Sequence, residues 1–340
     1  MLSVLQDRTG KVLVRKLGNG TCELRCEPHD PTVIPPHSPC TTAYSDELIS
    51  LIFEAYGAIY TCDEISRDID ESEAALDVKY SVLAYLGEKI FSMDLRILDY
   101  GCGAGSSTLT LARLFPHAQI SGLDFMDKFL KVARLRAAHY GALNVMFHSV
   151  PKSGVEAGAP SFDIVFLNAV FEHLLPGERP IVLESIWRVL KPGGVLILNQ
   201  TPHRWFPIET HTSGLPLINY LPDSLAFWAV RQFCKRIVRS YTWDELLRAG
   251  VRGATVSEIL RLLKRTDLRA ERLRPIRLAN SWAGIWYAAK RARLSKVTRV
   301  LTRAGIVAAE LVVRISRLPI SPYINIAVAK GDLDQRYRTP

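Results

Sequence analysis

Residues 96–105, with the sequence RILDYGCGAG, combine an apolar strand pattern with three closely spaced glycines, and they decide the fold. Residues 96–100 predict a buried strand, and Gly101, Gly103 and Gly105 follow before a helix that begins near Ser106. Glycine allows the backbone to turn sharply and to approach a ligand closely. A helix N-terminus presents free N–H groups to an anionic or polar ligand. The stretch therefore predicts a strand that leads into a loop for a nucleotide-like ligand.

Downstream of this loop, apolar runs alternate with amphipathic segments. This alternation is typical of successive βα units and of a parallel sheet. The chain ends with a further apolar run at 323–329, which predicts a last strand. The predicted strands are 96–100, 119–124, 145–149, 162–168 and 195–199, and the predicted helices are 106–115, 127–140 and 178–190, the last closed by a turn at 191–194.

The glycine spacing distinguishes between two classes of ligand. Dinucleotide-binding enzymes use G-x-G-x-x-G, whereas this loop is G-x-G-x-G with Asp99 two residues ahead of it. Asp124 ends the second predicted strand, 19 residues after Gly105, where a carboxylate can accept hydrogen bonds from both hydroxyls of a ribose. The pattern disfavours an NAD-dependent oxidoreductase, which remains as an alternative.

Four ordered motifs within residues 75–205 resemble those of the class I S-adenosylmethionine (SAM)-dependent methyltransferases. The resemblance implies a Rossmann-like three-layer α/β sandwich, with a mostly parallel seven-stranded sheet and a helical cap insertion. It also implies SAM as the cofactor. The motifs are residues 97–105, residues 122–124, residues 162–165 together with 171–174, and residues 189–194.

The resemblance further implies a set of cofactor contacts. Asp99 would hold the amino group of SAM, Asp124 would hold its ribose, and Asn168 would face the methyl group that is transferred. Family members commonly carry an acid after the third strand that touches the adenine amino group of SAM, and this chain has Ser149 there as a weaker substitute. The implied cofactor-binding residues are Asp99, Gly101, Cys102, Gly103, Gly105, Asp124, Phe125, Met126, Ser149 and Asn168.

Methylation of a hydroxyl group requires a base within hydrogen-bond reach of its proton, and it requires no metal. His173 follows the fourth strand, and His203, Glu209 and His211 lie in the polar and aromatic segment after the fifth strand. We expect one of these four residues to act as the catalytic base. The sequence does not decide among them.

The substrate class is narrowed by a missing motif. Enzymes of this fold that methylate nucleobase amines carry an Asn or Asp followed by two prolines after the fourth strand, but Asn168 is followed by Ala169 and Val170. The aromatic and apolar residues of segment 205–228 instead favour a small-molecule, lipid-linked or sugar substrate. An RNA methyltransferase and a non-catalytic SAM-binding protein remain as alternatives.

Positive charge is concentrated near the C-terminus. Residues 261–340 contain 18 Lys+Arg and 5 Asp+Glu, a net charge of +13, which leaves −4 for residues 1–260. This region predicts either helices packed on the domain's own core or a peripheral contact with the inner face of a membrane. Nucleic acid is an unfavoured partner, and the oligomeric state is open. Leu301, Ile306, Val307, Leu311 and Ile315 lie near one helical face, and Arg303, Arg314 and Arg317 could face lipid headgroups.

The N-terminal fifth contains a candidate hairpin, 11–14 with 21–25, and a proline-rich link at 28–39. Its cysteines and histidines raise the possibility of zinc, but no second close cysteine pair completes a ligand set, so reduced thiols are favoured. No stretch resembles a signal peptide or a membrane span, which predicts a cytoplasmic protein. The residues concerned are Cys22, Cys26, His29, His37, Cys40 and Cys62.

The predicted organisation has five parts. A SAM-binding core at 96–202 follows an N-terminal extension and two helices, and precedes a substrate cap and a last strand. The parts are 1–45, 46–95, 96–202, 203–320 and 321–340.

Overall fold

The strands of the computed structural model form two separate sheets within the residues that it describes. Those residues are 2–31, 38–69, 72–151, 154, 161–267, 269–275, 295–316 and 322–337. The first sheet is antiparallel with the order β1-β2-β3-β4, and the second has seven strands with the order β10-β11-β9-β8-β5-β6-β7. The chain therefore places a small N-terminal sheet before the large one.

The N-terminal sheet contains the predicted hairpin, formed by β2 and β3, in which Val14 pairs with Leu24. The short flanking strands β1 and β4 were not predicted, since their few apolar residues give no clear alternation. The strands are β1 Leu2–Gln6, β2 Gly10–Lys16, β3 Cys22–Pro28 and β4 Cys40–Thr42.

The seven-stranded sheet is mostly parallel, as expected. Strands β5 to β9 run parallel to one another, and β11 pairs antiparallel with both β9 and β10. Its strands are β5 Arg96–Tyr100, β6 Gln119–Asp124, β7 Val145–Ser149, β8 Phe162–Asn168, β9 Leu190–Pro202, β10 Ala270–Arg272 and β11 Tyr323–Lys330.

Helices precede the large sheet, cover both of its faces and build the region after β9. Three rather than two helices come before β5, and the third ends at Leu86, where Gly87 follows with a φ of 71°. The helices are α1 Asp46–Tyr56, α2 Thr61–Ser66, α3 Glu73–Leu86, α4 Ser106–Leu114, α5 Asp127–Tyr140, α6 Glu178–Val189, α7 Asp223–Phe233, α8 Trp243–Arg248, α9 Val256–Thr266 and α10 Lys296–Ser316.

The core lies on both sides of the large sheet. In β8, Val165 and Leu167 pack towards Trp187 of α6, while Ile164 and Phe166 pack with Phe115 on the opposite face. A strand buried on both faces needs a near-continuous apolar sequence, which β8 has. The sheet with helices on each side is the predicted Rossmann-like three-layer sandwich.

The predicted turn at 191–194 forms inside the bounds of β9, which begins at Leu190. These four residues lie opposite the single residue Asp163, between the pairs Phe162–Leu190 and Ile164–Val195, and Gly193 has a φ of 77°. Gly194 is needed there because a Cβ would lie 2.9 Å from the carbonyl oxygen of Asp163 on the neighbouring strand.

Strand β5 lies where the order of the sheet reverses, because it pairs with β6 on one side and with β8 on the other. The connections that leave β5 and β8 therefore diverge to opposite faces. In open α/β sheets a crevice opens at such a point, at the carboxyl ends of the strands. The glycine loop follows β5 at this edge.

The cysteines of the N-terminal segment are packing residues. Cys22, Cys26, Cys40 and Cys62 are buried in one apolar cluster between the small sheet and helices α1 and α2. The backbone N–H of Cys62 donates to Sγ of Cys26 at 3.3 Å. The side-chain contact with Cys62 and burial raise the pKa of the Cys26 thiol, and the backbone N–H of Cys62 opposes this rise. His29 is exposed, and His37 lies outside the described residues.

A buried arginine connects the N-terminal helices to the glycine loop. The guanidinium of Arg136, on α5, donates to Glu64 Oε1 at 2.9 Å and to the carbonyl oxygen of Ala104 at 3.0 Å. Its Nε lies 3.3 Å from Asp68 Oδ2. Because Arg136 is fully buried, its charge depends on these carboxylates for compensation.

Replacing this arginine is expected to destabilise the whole chain. Arg136→Met leaves Glu64 and Asp68 without their cation and should lower the free energy of unfolding by about 3–5 kcal/mol. Denaturant unfolding of the purified protein measures this. Arg134→Met, on the exposed side of the same helix, is the matched control and should change stability by less than about 0.5 kcal/mol. Equal losses in the two variants would contradict the assigned role.

Candidate active site

A cavity of about 1240 Å³ opens at the carboxyl ends of the parallel strands. The glycine loop and the ends of β6 and β8 line one part of it, and His173, His211 and Tyr323 line another. A ligand held by the loop and a second ligand near the histidines would therefore share one space. This volume lies above the usual range for a single small-molecule pocket.

The backbone of the glycine loop is fixed by the neighbouring strand. The N–H groups of Gly101 and Cys102 both donate to the carbonyl oxygen of Leu123, at 2.7 and 2.9 Å. The N–H of Gly103 donates to Asp124 Oδ2 at 3.0 Å. All three loop glycines have positive φ values, between 52° and 82°. The sequence spacing thus reflects a backbone that other residues adopt only with strain.

The three glycines have different surroundings. A Cβ at Gly101 would overlap Val170, at 2.6 Å, and one at Gly105 would lie 2.9 Å from the Cβ of Ala133 on α5. A Cβ at Gly103 would meet only the hydroxyl of Tyr56, at 3.5 Å. Gly101 and Gly105 are needed for packing, whereas Gly103 keeps space free beside the cavity.

Asp99 lies behind the loop and does not itself line the cavity. Its Oδ2 accepts hydrogen bonds from the hydroxyls of Ser107, at 2.7 Å, and Thr108, at 2.6 Å, in the first turn of α4. Its Oδ1 is buried and has no hydrogen-bond partner among the described residues. Burial raises the pKa of this carboxyl group. Ser107 lines the cavity, so Asp99 is one hydroxyl away from it.

Asp124 lines the cavity at the end of β6. Besides accepting from Gly103, it accepts the backbone N–H of Met126 through Oδ1, at 2.8 Å. Burial raises its pKa. Phe125 and Met126 also line the cavity, but Ser149 does not, and its neighbour Val150 takes that place. The expected adenine contact of Ser149 is therefore replaced by an apolar surface.

The ends of β8 and β9 carry polar side chains and strained backbone. Asn168 lines the cavity, and its Oδ1 accepts from Asn199 Nδ2 at 2.9 Å. Ala169 and Gln200 line it too, and both have positive φ values, 55° and 59°. Non-glycine residues in this conformation concentrate at functional sites. Sequence reasoning missed Gln200, since nothing in its local pattern marks the conformation.

The two histidines of the cavity lie side by side, with ring centroids 5.6 Å apart. Nδ1 of His173 lies 2.6 Å from the carbonyl oxygen of Arg248, so this nitrogen carries the proton and Nε2 is left as the acceptor. Burial lowers the pKa of His211. A neutral imidazole at His211 can accept a proton near neutral pH.

Glu172 is the nearest carboxylate to these histidines. Its side chain is only 1% exposed, its Oε2 accepts from the hydroxyl of Thr201 at 3.1 Å, and its Oε1 is buried without a hydrogen-bond partner among the described residues. Oε1 lies 3.8 Å from Nε2 of His173. One ligand atom from each of Glu172, His173 and His211 lies within 4.8 Å of the others. Sequence reasoning missed Glu172, although it stands beside His173 in a quoted motif.

The other two catalytic candidates lie elsewhere. Glu209 is buried and accepts hydrogen bonds from the backbone N–H groups of His211, Thr212 and Ser213, between 2.5 and 3.2 Å. The ring of His203 accepts from the N–H of Trp205 at 3.1 Å. Neither residue lines the cavity. Glu209 therefore shapes the segment that carries His211, and its own lone pairs are occupied.

These residues fit SAM on two points. The Asp124 carboxylate lies at the cavity wall, and the missing Cβ of Gly103 leaves room for a ligand. Phe125 and Met126 provide an apolar surface for a flat ring.

Comparison with known proteins agrees with this fit. A family model described as a methyltransferase domain matches residues 97–194. The chain is 31% identical to malonyl-[acyl-carrier protein] O-methyltransferase of Bacillus cereus, over 39% of this chain and 48% of that protein. It is 29% identical to demethylmenaquinone methyltransferase of Lactococcus lactis, over 47% and 64%, and 33% identical to ubiquinone biosynthesis O-methyltransferase of Xanthomonas axonopodis, over 35% and 50%.

The chain spans about half to two thirds of the length of these relatives. The segment that matches the family model contains the glycine loop, Asp124 and Glu172, and it ends within β9. Residues 97–194 are therefore a class I SAM-dependent methyltransferase domain.

Proposed function

We propose that the chain is a SAM-dependent O-methyltransferase that acts on a small-molecule, lipid-linked or sugar substrate. The observation that carries this proposal is the cavity, which connects the glycine loop with the Glu172, His173 and His211 cluster. Bound SAM supplies a methyl group made electrophilic by its sulfonium. The residues of the chain must hold the cofactor, orient the acceptor hydroxyl and take up its proton.

The proton acceptor in this proposal is His211. It lines the cavity, burial keeps it neutral, and the backbone hydrogen bonds of Glu209 fix the segment on which it stands. The buried carboxylate of Glu172 stabilises the imidazolium formed when His211 takes the proton. His173, fixed by Arg248, would accept a hydrogen bond from substrate through Nε2 and orient it.

Cofactor binding is proposed to divide among three groups. Gly101 and Gly103 would hold the methionine part, Asp124 the ribose, and Phe125 with Met126 the adenine ring. Asp99 would act through Ser107 or through its free Oδ1. Asn168, whose carbonyl oxygen is held by Asn199, would face the methyl group.

The substrate class is supported by the relatives, whose names refer to malonyl-[acyl-carrier protein], to demethylmenaquinone and to ubiquinone biosynthesis. All three are named as methyltransferases, which disfavours the oxidoreductase alternative. Contact with a membrane surface is part of the proposal, since acceptors of this kind have apolar parts. None of the described helices combines the length and apolarity that crossing a membrane requires.

The cluster of Glu172, His173 and His211 also supports a second mechanism. Two imidazoles and a carboxylate with nearby ligand atoms are a donor set that suits a divalent transition metal. A metal there would activate the acceptor hydroxyl directly. Activity that survives extensive dialysis against a chelator supports His211 as the base, and activity restored only by added metal supports coordination.

The proposed activity is tested by incubating the protein with radiolabelled SAM and a cell lysate, then separating lipid, glycan, small-molecule and RNA fractions. Label is expected in the lipid or small-molecule fraction. Label found only in RNA would overturn the substrate class, and SAM binding without any transfer would favour a non-catalytic protein.

Loss of His211 should slow methyl transfer without weakening the cofactor site. His211→Gln removes the base and should lower the rate of label transfer about 10²–10⁴-fold, while the affinity for S-adenosylhomocysteine stays the same by calorimetry. His203→Gln, outside the cavity, is the matched control and should retain the wild-type rate. Similar losses in both variants would exclude His211 as the base.

The pH dependence of kcat/KM follows from the buried state of His211. Burial lowers the pKa of His211 below the ordinary value of 6.5. His211 therefore becomes protonated, and stops acting as a base, only when the pH falls through this lowered pKa. We expect the rate to rise with pH along a limb whose midpoint lies below 6.5. The limb should be absent in the residual activity of His211→Gln. A midpoint above 7 in the wild-type enzyme would contradict this assignment.

The last and the middle glycine of the loop should separate stability from binding. Gly105→Ala places a methyl group against Ala133 in a left-handed conformation and should cost about 2–4 kcal/mol of stability. Gly103→Ala meets no protein clash, so its cost should be about 1–2 kcal/mol, but it should lower the affinity for S-adenosylhomocysteine about tenfold, equivalent to ~1.4 kcal/mol. Unfolding curves and calorimetry measure both. Unchanged affinity in Gly103→Ala would count against the proposed cofactor position.

A further inference from the structure

The region after β9 exposes an unusual number of large apolar side chains. Seven lie within residues 205–233, each between 45% and 61% exposed, and we call them the cap surface. Isolated exposed apolar residues are ordinary, but clusters of them mark interaction sites. The cap surface consists of Trp205, Ile208, Leu217, Tyr220, Leu225, Trp228 and Phe233.

Helix α7 shows how part of this surface is oriented. Ala226, Ala229 and Val230 form its buried face, while Leu225 and Trp228 project on the other side. Trp228 packs edge-on against Phe233, with ring centroids 5.5 Å apart. Two large apolar side chains of the helix, Leu225 and Trp228, thus face solvent, whereas Phe227 packs on the buried cluster beside Trp243.

The loop before α7 adds two further contributions. The rings of Trp205 and Tyr220 stack on each other with their centroids 5.8 Å apart, and both side chains are exposed. Leu217 has a φ of 59° and is 59% exposed. Strained backbone that holds a leucine side chain in water gains nothing for the isolated fold and points to a function at this surface.

The charge of this segment is positive. Residues 203–240 contain five Lys+Arg and two Asp+Glu. Of the two acids, Glu209 is buried among backbone N–H groups, and Asp223 pairs with Arg252 at 2.7 Å. Lys235 and Arg231 are exposed. The apolar and aromatic segment therefore also carries the exposed cations Arg231 and Lys235.

Helix α10 carries a second surface of the same kind. Val297, Val300, Leu301, Val307 and Leu311 are 58% to 70% exposed. At 100° per residue they fall within an arc of about 120°, and the less exposed Thr302 and Ile306 lie on the opposite side.

The packing of α10 on the domain's own core, one of the two sequence predictions, is therefore wrong for Leu301, Val307 and Leu311. Ile306, which the sequence placed on the same face as these three, is less exposed and lies on the opposite side. The side chains of Arg314 and Ile315, and all of Arg317, lie outside the described residues.

Cations also accompany α10. Its sequence contains four basic residues, Lys296, Arg299, Arg303 and Arg314, and one acid, Glu310. On the helix, Lys296 and Arg303 flank one edge of the apolar arc. This combination of an apolar face and a basic margin is typical of helices that lie in the headgroup region of a bilayer.

We propose that the cap surface and the apolar face of α10 bind the surface of an anionic lipid bilayer. Tryptophan and tyrosine favour the interface between water and hydrocarbon, and the basic residues attract anionic headgroups. The segment of chain between Trp205 and Leu217 contains His211, which lines the cavity. A bilayer held by the cap surface would thus lie beside the segment that forms the substrate end of the cavity. Only this last point rests on the proposed methyl transfer.

The proposal is tested by sedimentation of the full chain with vesicles of phosphatidylcholine, with and without phosphatidylglycerol. We expect binding to the anionic vesicles that weakens as salt is raised. The double variants L225E/W228E and V300E/L301E should each lower the partition coefficient about tenfold or more. Leu143→Glu, at a 98% exposed leucine outside both surfaces, is the matched control and should bind like the wild type.

A depth probe adds a direct measurement. All six native cysteines are buried, so an environment-sensitive dye on Leu225→Cys should report this position alone. A blue shift on adding anionic vesicles is expected for Leu225→Cys and not for Leu143→Cys. Three results would each overturn the proposal. The first is a wild type that does not bind vesicles at all, and the second is a Leu143→Glu variant that loses as much binding as the double variants. The third result is a wild type that binds no vesicles but forms dimers, which both double variants abolish.

Cofactor affinity keeps the two proposals separate. The substituted side chains are exposed, so every variant should keep the thermal stability and the S-adenosylhomocysteine affinity of the wild type. If the protein binds vesicles but transfers no methyl group, the proposed membrane-binding surface is supported and the proposed methyltransferase activity is refuted.

Discussion

The attachment of the glycine loop to the end of β6 is the constraint on which the site depends. Two backbone N–H groups of the loop share the carbonyl oxygen of Leu123, and a third donates to Asp124. These bonds fix the chain in positive-φ conformations at the point where the sheet changes direction. The same carboxylate that anchors the loop also lines the cavity, so backbone geometry and ligand chemistry are set by one residue.

The loop is held from its other side by Arg136, which joins it to the N-terminal helices. The N-terminal region is therefore part of the structure of the site rather than an appendage, and Tyr56 of α1 reaches the cavity beside Gly103. Its buried cysteines fill the apolar cluster that supports this contact. The N-terminal cysteines, which the sequence offered as possible metal ligands, pack in the apolar cluster. Glu172, which the sequence did not single out, has a buried oxygen without a hydrogen-bond partner among the described residues.

The sheet could be predicted from sequence because its signals are local. The apolar runs of β5, β6 and β8, the acid at the end of each of the first two, and the glycine spacing all lie within short windows. What could not be predicted depends on residues far apart in the chain. Gln200 reaches Asp77, and His211 approaches Glu172, through pairings made only by the folded sheet. The sequence predicted a shorter β9, because Pro-Gly-Gly is typical of turns. The exposure of the apolar residues of α10 cannot be predicted from their periodicity, which is the same for a buried and an exposed helix face.

Strand β11 is the penultimate element of the described chain, yet it lies inside the sheet, between β9 and β10. Tyr323 at its start lines the cavity, and Asn325 extends the amide chain that ends at Asn168. During synthesis the glycine loop emerges long before this strand, so β9 keeps an open edge until β11 has been made. Assembly of the cavity therefore waits for Tyr323–Lys330, and non-local pairing of this kind is slow. An incomplete chain would expose an apolar strand edge, which is the substrate that chaperones and proteases recognise.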